Sequence, residues 1–167
     1  DLSGSDGTDT TTLTIEISVL DAFEGRVIDG PVSGADVFVD LNCNALKDEG
    51  EPTGITDENG FFKAGKVAPA ADCKPKIISR GGTDTTTGKV LPDLVLVADL
   101  PADETKAVAL TPLSTVLSSA ETEAEKQQVL DTLGLSGTTP EQILTTDSWA
   151  GAEANTEADI AIQRVNQ

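Results

Sequence analysis

Oxygen-bearing side chains crowd one short stretch, Asp40-Leu41-Asn42-Cys43-Asn44-Ala45-Leu46-Lys47-Asp48-Glu49-Gly50-Glu51. Counted from Asp40, five of them fall at the first, third, fifth, ninth and twelfth positions, as Asp40, Asn42, Asn44, Asp48 and Glu51. Leu46, at the seventh, would add its backbone carbonyl. Carboxylates and amide carbonyls are hard donors, and calcium takes six to eight such oxygens in adaptable geometry. Three carboxylates so close in sequence repel one another unless a cation lies among them. The chemistry suggested is binding of Ca2+, with Glu51 closing the shell through both oxygens. The same residues also suit an acidic, Asn-rich turn that binds nothing.

The spacing is that of an EF-hand loop, with two departures. Ala45 stands at the sixth position, where a glycine is preferred for the sharp turn, and no helical pattern flanks the loop. Phe38 and Val39 precede it in strand register and Pro52 follows it. Lys47 and Glu49 most simply face solvent. Downstream, Asp57 and Asn59 could return to the same ion or to a second one. Equally, Asp57-Glu58-Asn59-Gly60 is a plain turn that uses these residues for backbone reasons. Cys43 and Cys73 make one possible disulfide, which would clamp the loop to a neighbouring strand. The alternative is two buried free thiols.

These residues need elements to hold them. Residues 13–20 alternate, with Leu13, Ile15, Ile17 and Val19 on one face and Thr14, Glu16 and Ser18 on the other, the pattern of a half-buried strand. Asp29-Gly30-Pro31 reads as a turn. Ala35, Val37 and Val39 alternate with Asp36, Phe38 and Asp40 in a second strand. Short strands are expected at Phe61-Phe62-Lys63, at Ile77-Ile78-Ser79, over residues 94–100 and at Ala107-Val108-Ala109-Leu110. Many short strands between turn signals predict a mainly β chain, a β-sandwich. At Thr111-Pro112 the pattern changes, with Thr at N-cap and Pro at N1 opening a helix. Leu113, Val116, Leu117 and Ala120 share its inner face. A second helix is expected over residues 122–133 with Gly134 at C′, a third from Thr139-Pro140 through Leu144, and a last over residues 156–165 with Ala158, Ala161, Ile162 and Val165 inward. The expected organisation is a polar arm at 1–12, a calcium-binding sandwich at 13–110, and a small C-terminal helical segment at 111–167. Trp149, among polar neighbours, reads as a packing anchor.

Composition narrows the function. The net charge of −18 repels phosphate backbones and anionic bilayers, so nucleic acid and membranes are poor partners. The bulk acidity also serves solubility alone. The chain has no histidine, which removes the commonest general base and transition-metal ligand. With two cysteines and no histidine, a zinc site cannot be completed. No signal-peptide pattern and no membrane-spanning apolar run is present. The first residue, Asp1, fits a mature, processed or excised protein, and the end at Val165-Asn166-Gln167, inside a helical pattern, hints at truncation or docking.

Three stretches carry a family resemblance: Ser33-Gly34-Ala35-Asp36-Val37-Phe38-Val39-Asp40-Leu41-Asn42, then Asp48-Glu49-Gly50-Glu51-Pro52, then Thr56-Asp57-Glu58-Asn59-Gly60-Phe61. Together they resemble calcium-binding B-repeat domains of bacterial surface adhesins, and are similar to modules in large secreted proteins of aquatic bacteria. Gly81-Gly82-Thr83-Asp84-Thr85-Thr86-Thr87-Gly88, and then Leu110-Thr111-Pro112-Leu113-Ser114-Thr115-Val116-Leu117, also look like the aquatic proteins, in which helices follow the sandwich. The resemblance implies an Ig-like or prealbumin-like sandwich with calcium at the loop, and an adhesive, spacer or matrix role.

The expectation is therefore a secreted or cell-surface, calcium-binding structural protein, a subunit of a filament or biofilm matrix or a module for cell adhesion, and not an enzyme. Self-association into a polymer or tandem array is expected, with residues 13–20 donated to a neighbour as one concrete form. The polar arm, which should be disordered alone, would dock on such a neighbour. The alternative is a calcium-dependent module recognising a glycan, polysaccharide or surface. The low aromatic content counts against sugar stacking. A carboxylate pair could serve glycosidase chemistry, but nothing separates one from ion ligands or solvated acids. A Lys–Asn isopeptide crosslink cannot be read from spacing.

Overall fold

Alternation along the chain sorts side chains to two sides of each strand, and the structure, a computed structural model, shows where those sides go. It describes residues 22–65, 73–102 and 105–148, with residues 161, 164 and 165. The expected strand at 13–20, the arm at 1–12, Trp149, Ala158 and Ile162 lie outside the described residues. The strands are β1 (Phe23–Val27), β2 (Val32–Ser33), β3 (Asp36–Asp40), β4 (Thr53–Ile55), β5 (Phe61–Ala64), β6 (Lys76–Arg80), β7 (Thr83–Asp84), β8 (Val95–Asp99) and β9 (Val108–Leu110). The bounded helices among the described residues are α1 (Pro112–Ser118), α2 (Glu123–Thr132) and α3 (Pro140–Thr145), and residues 161, 164 and 165, within the expected last helix, are also helical.

The strands form an antiparallel four-stranded sheet in the order β4-β3-β6-β8, a three-stranded sheet β5-β1-β9 and a two-stranded pair β2-β7. In the three-stranded sheet β1 is central, antiparallel to β5 and parallel to β9. The fold is mainly β and sandwich-like. Val27, Val37, Val39, Phe62, Ile77, Leu96, Val108 and Leu110 from the two larger sheets bury together with Leu144 of α3.

Sequence pattern missed β1 because Gly25 and Arg26 interrupt its apolar phase. Gly25 is there for space: a Cβ would stand 2.3 Å from the Val108 carbonyl oxygen and 2.7 Å from the Phe62 ring. That clearance lets three strands close up at the centre of the sheet.

All three helices open as their sequences predict. Thr111, Thr122 and Thr139 are N-caps, each in a capping box with the residue at N3, which is Ser114, Glu125 and Gln142 respectively. Gly134, just after the C-cap of α2, has φ +78°. One expectation is corrected: Leu113 and Leu117 are buried but Val116 is 49 % exposed. The face turned to the protein is set by Ser114 and Thr115, which bond β8. Val97 N–H donates to Thr115 Oγ1 at 2.9 Å, and Ser114 Oγ donates to the Val97 carbonyl at 2.8 Å. The helix thereby covers backbone groups of a strand at the end of its sheet. A second apolar cluster gathers Leu113, Leu117, Leu130, Leu135 and Ile143, with Ala161 and Val165 packed against it. Between the two clusters Lys126 bonds Asp99 at 2.7 Å and Glu123 at 2.6 Å. No helix among the described residues is long and apolar enough to cross a membrane.

Candidate functional site

Strand β3 ends at Asp40 and β4 begins at Thr53, so residues 41–52 must reverse the chain between paired neighbours. Asp40 is almost fully buried, and its carboxylate organises the start of the loop. Its two oxygens accept the N–H groups of Asn44 and Ala45, at 3.1 and 2.7 Å. Asn42 Oδ1 accepts the Asn44 N–H as well, at 3.1 Å, and Asn44 Oδ1 accepts that of Leu46 at 2.7 Å. The side chain two residues back caps the backbone at each of these steps, the local competition with secondary structure that Asp and Asn favour. Glu51 closes the neck, one oxygen accepting Leu41 N–H at 2.9 Å and the other Asp48 N–H at 3.0 Å.

Asp48 faces the asparagines. Its Oδ2 receives Nδ2 of both Asn42 and Asn44, each at 2.7 Å. The Asn42 hydrogen bond, then that of Asn44, holds the Asp48 carboxyl below the usual aspartate value against a small opposing effect of burial. Asp40, Asn42, Asn44, Asp48 and Glu51 are therefore joined in one hydrogen-bonded loop.

The turn is sharp. Cys43 and Ala45 have φ of +60° and +59°, the left-handed region that costs an L-residue about 1–2 kcal/mol. Ala45 is the sixth residue, so the backbone makes the bend there without glycine. A disulfide joins Cys43 to Cys73, with Cα atoms 6.3 Å apart, and anchors the crest to the chain just before β6. Arg80 supplies a second anchor. It bonds the Ala45 carbonyl at 2.5 Å and lies over the Phe38 ring. Phe38 projects from β3 opposite Val37 and Val39, yet is fully buried. Lys47 reaches Asp36 at 2.7 and 2.9 Å. The loop is thus tied back along the strand it leaves.

Asp57 is not brought to this loop. It lies beyond the far end of β4, where its Oδ1 accepts the N–H groups of Asn59 and Phe61 at 2.8 and 2.9 Å. That is the plain-turn alternative. Sequence reasoning did not identify Arg80 or Asp36 as supports, because only the β3–β6 register, which sets Asp36 opposite Arg80, makes them neighbours of the crest.

The charge is lopsided. In none of the ion pairs among the described residues do Asp40, Asp48 or Glu51 take part. No group of three or more His, Cys, Asp or Glu placed to hold a metal ion occurs among the described residues. Here the carboxylates are linked through Asn42, Asn44 and backbone amides. The donor set is all oxygen, which suits a hard divalent ion and no soft one. No protein-family model, curated protein or solved structure matches the chain.

Proposed function

We propose that this chain is an extracellular structural module, stiffened by calcium at residues 40–51, that associates with copies of itself in a filament or matrix and catalyses no reaction. One observation carries the reading: a disulfide-anchored loop in which three carboxylates and two asparagines interlock and, among the described residues, none of the three carboxylates has a cationic side chain as partner. Asp40, Asn42, Asn44, Asp48, Glu51 and the Leu46 carbonyl would hold the ion. Bound calcium would supply charge, cancelling carboxylate repulsion and stabilising the folded state by mass action. The residues fit in donor type. In geometry, the Asn42 and Asn44 amides must yield the Asp48 contact, since Nδ2 and not oxygen faces Asp48. The disulfide supports an oxidising, extracellular setting. A structural role is supported by how the carboxylates are used: Asp40 and Glu51 are committed to backbone amides that shape the loop.

The test is a thermal melt of the full chain in calcium, in magnesium and in chelator, for the parent and for Asp40→Ala/Glu51→Ala. At calcium a hundredfold above Kd the expected gain is about 2.7 kcal/mol, present for the parent and absent in the double variant. Asp57→Ala should keep the gain. A parent melt that ignores calcium would reduce the loop to an acidic turn.

A further inference from the structure

The last registered pair between β3 and β6 is Asp40 with Lys76. Cys43 follows Asp40 by as many residues as Cys73 precedes Lys76, so the disulfide falls where the same antiparallel register would continue. The ladder itself stops at Asp40, and the core stops close by. Leu41 still packs against the sandwich interior, but residues 42–47 are all exposed. Three contacts tie this crest to the sheet: the disulfide, the Arg80 bond to the Ala45 carbonyl, and the Lys47–Asp36 pair. The last is an exposed ion pair, a weak tie, and only the first is covalent.

That covalent tie is within reach of solvent. Cys43 is exposed and Cys73 half-buried. Cys43 stands between Asn42 and Asn44 at φ +60°, a conformation that an L-residue gives up unless it is held. Letting go of it would turn both asparagines away from Asp48. Cys43 Sγ lies 3.3 Å from the Lys74 carbonyl oxygen, and Cys73 Sγ 3.2 Å from that of Leu41. Once reduced, each thiol has an acceptor at hand. S–H is a weak donor, so these contacts would accommodate the open state without fixing the crest.

We infer that the Cys43–Cys73 bond is a redox latch on the loop: thiol–disulfide exchange at Cys43 opens it, releases residues 42–47 while the β3–β6 ladder stays paired, and lowers the affinity of the loop for calcium. The effect on calcium rests on the proposed function and adds regulation to it. The reductant required is a dithiol. Its thiolate attacks the exposed Cys43 sulfur, the S–S bond breaks, and the electron pair leaves on the Cys73 sulfur, which takes up a proton. The second thiol then displaces Cys43 from the mixed disulfide. The dithiol ends as a cyclic disulfide, and the chain gains two electrons and two protons. The reverse reaction, with a cyclic disulfide as oxidant, closes the latch. By linkage, the factor by which opening weakens calcium binding is the factor by which bound calcium resists opening. Oxidation thus completes a calcium site that the reduced chain leaves unformed.

The test poises the full chain in mixtures of reduced and oxidised dithiothreitol, with calcium and with chelator. Thiols are counted by alkylation and mass spectrometry, and the backbone is followed by amide NMR. Reduction should shift the amide signals of Asn44, Ala45 and Leu46 and leave those of Val37, Phe38, Ile78 and Ser79 in place. Calcium titration should give a Kd weaker by about fivefold or more for the reduced chain. Saturating calcium should raise by the same factor the ratio of reduced to oxidised dithiol that half-opens the bond. Asp40→Ala/Glu51→Ala should lose both calcium effects and still exchange its disulfide. Equal calcium affinity in the two redox states overturns the inference and leaves the calcium reading standing. An oxidised chain that binds no calcium overturns both. Collapse of the β3 and β6 signals on reduction would show a bond that holds the whole sheet, and overturns the latch.

Discussion

The turn at residues 57–60 and the loop at residues 40–51 both begin with an aspartate whose side chain caps the backbone ahead of it. Asp57 does so with one oxygen, on Asn59 and Phe61. A glycine, Gly60 at φ +82°, then completes the reversal, and β5 begins. Asp40 uses both oxygens on Asn44 and Ala45. The loop then needs Asn42, Asn44, Asp48 and Glu51, a disulfide and Arg80 to finish the same task. The short turn uses the residue its backbone prefers. The long loop puts Cys43 and Ala45 at positive φ and gathers Asp40, Asp48 and Glu51, which have no cationic side-chain partner among the described residues. Strain of this kind persists only where surrounding structure holds it, and here the disulfide and Arg80 supply that hold.

The largest expected effect breaks the comparison at the disulfide. Cys43→Ala/Cys73→Ala opens a closure of sequence separation 30, which chain entropy values at about 3–4 kcal/mol. Chemical denaturation should show that loss. A variant as stable as the parent would mean that the loop is held by its hydrogen bonds alone. Reciprocal glycine exchanges give a smaller effect of opposite sign in the two regions. Gly60→Ala places a Cβ 2.7 Å from the Val27 carbonyl oxygen at positive φ and should cost about 2 kcal/mol. Ala45→Gly relieves a left-handed alanine and should gain about 0.5–1 kcal/mol after the added freedom of the unfolded chain is subtracted. Equal signs would show that the two reversals are held in the same way.

The smallest effect is electrostatic. Hydrogen bonds from Asn42 and then Asn44 hold the folded Asp48 carboxyl below its ordinary value. The stability this lends is present above the unfolded aspartate pKa of about 3.9 and is lost as pH falls through the lower folded value. Acid denaturation of the parent should show that shallow loss below about pH 4, and Asp48→Asn should remove it. An identical acid profile for the two proteins would mean that the asparagine contacts do not persist in solution.

Much of this was legible from residue order, for definite reasons. Val37 and Val39, Ile77, Leu96, Ala98 and Val108 follow the two-residue period, which the pleat imposes wherever one face is buried. The helix starts were legible because a threonine cap and its N3 partner are local chemistry. Strand β1 was not, since Gly25 contributes space and no side chain to the pattern. Nor was the outward turn of Val116, because helical periodicity places it near Leu113 and Leu117 while the bonds to β8 fix which side is buried. At the loop, the oxygen donors could be named from spacing, but Asp57 could not be assigned. Its separation from Asp40 depends on β4 running away from the loop.

The sequence alone determined the inventory: three carboxylates and two amides within twelve residues, a pair of cysteines, capped helices, and a strand pattern ahead of β1. These are properties of type and order, expressed within a few residues of backbone. Tertiary structure decided which of the possible meetings occur. It joined Cys43 to Cys73, brought Arg80 to Ala45 and Phe38, sent Asp57 to a separate turn, and left Ile55 and Phe61 exposed. Each of these depends on strand register between residues far apart in the chain. Register is fixed by burial of the whole core, not by any short segment.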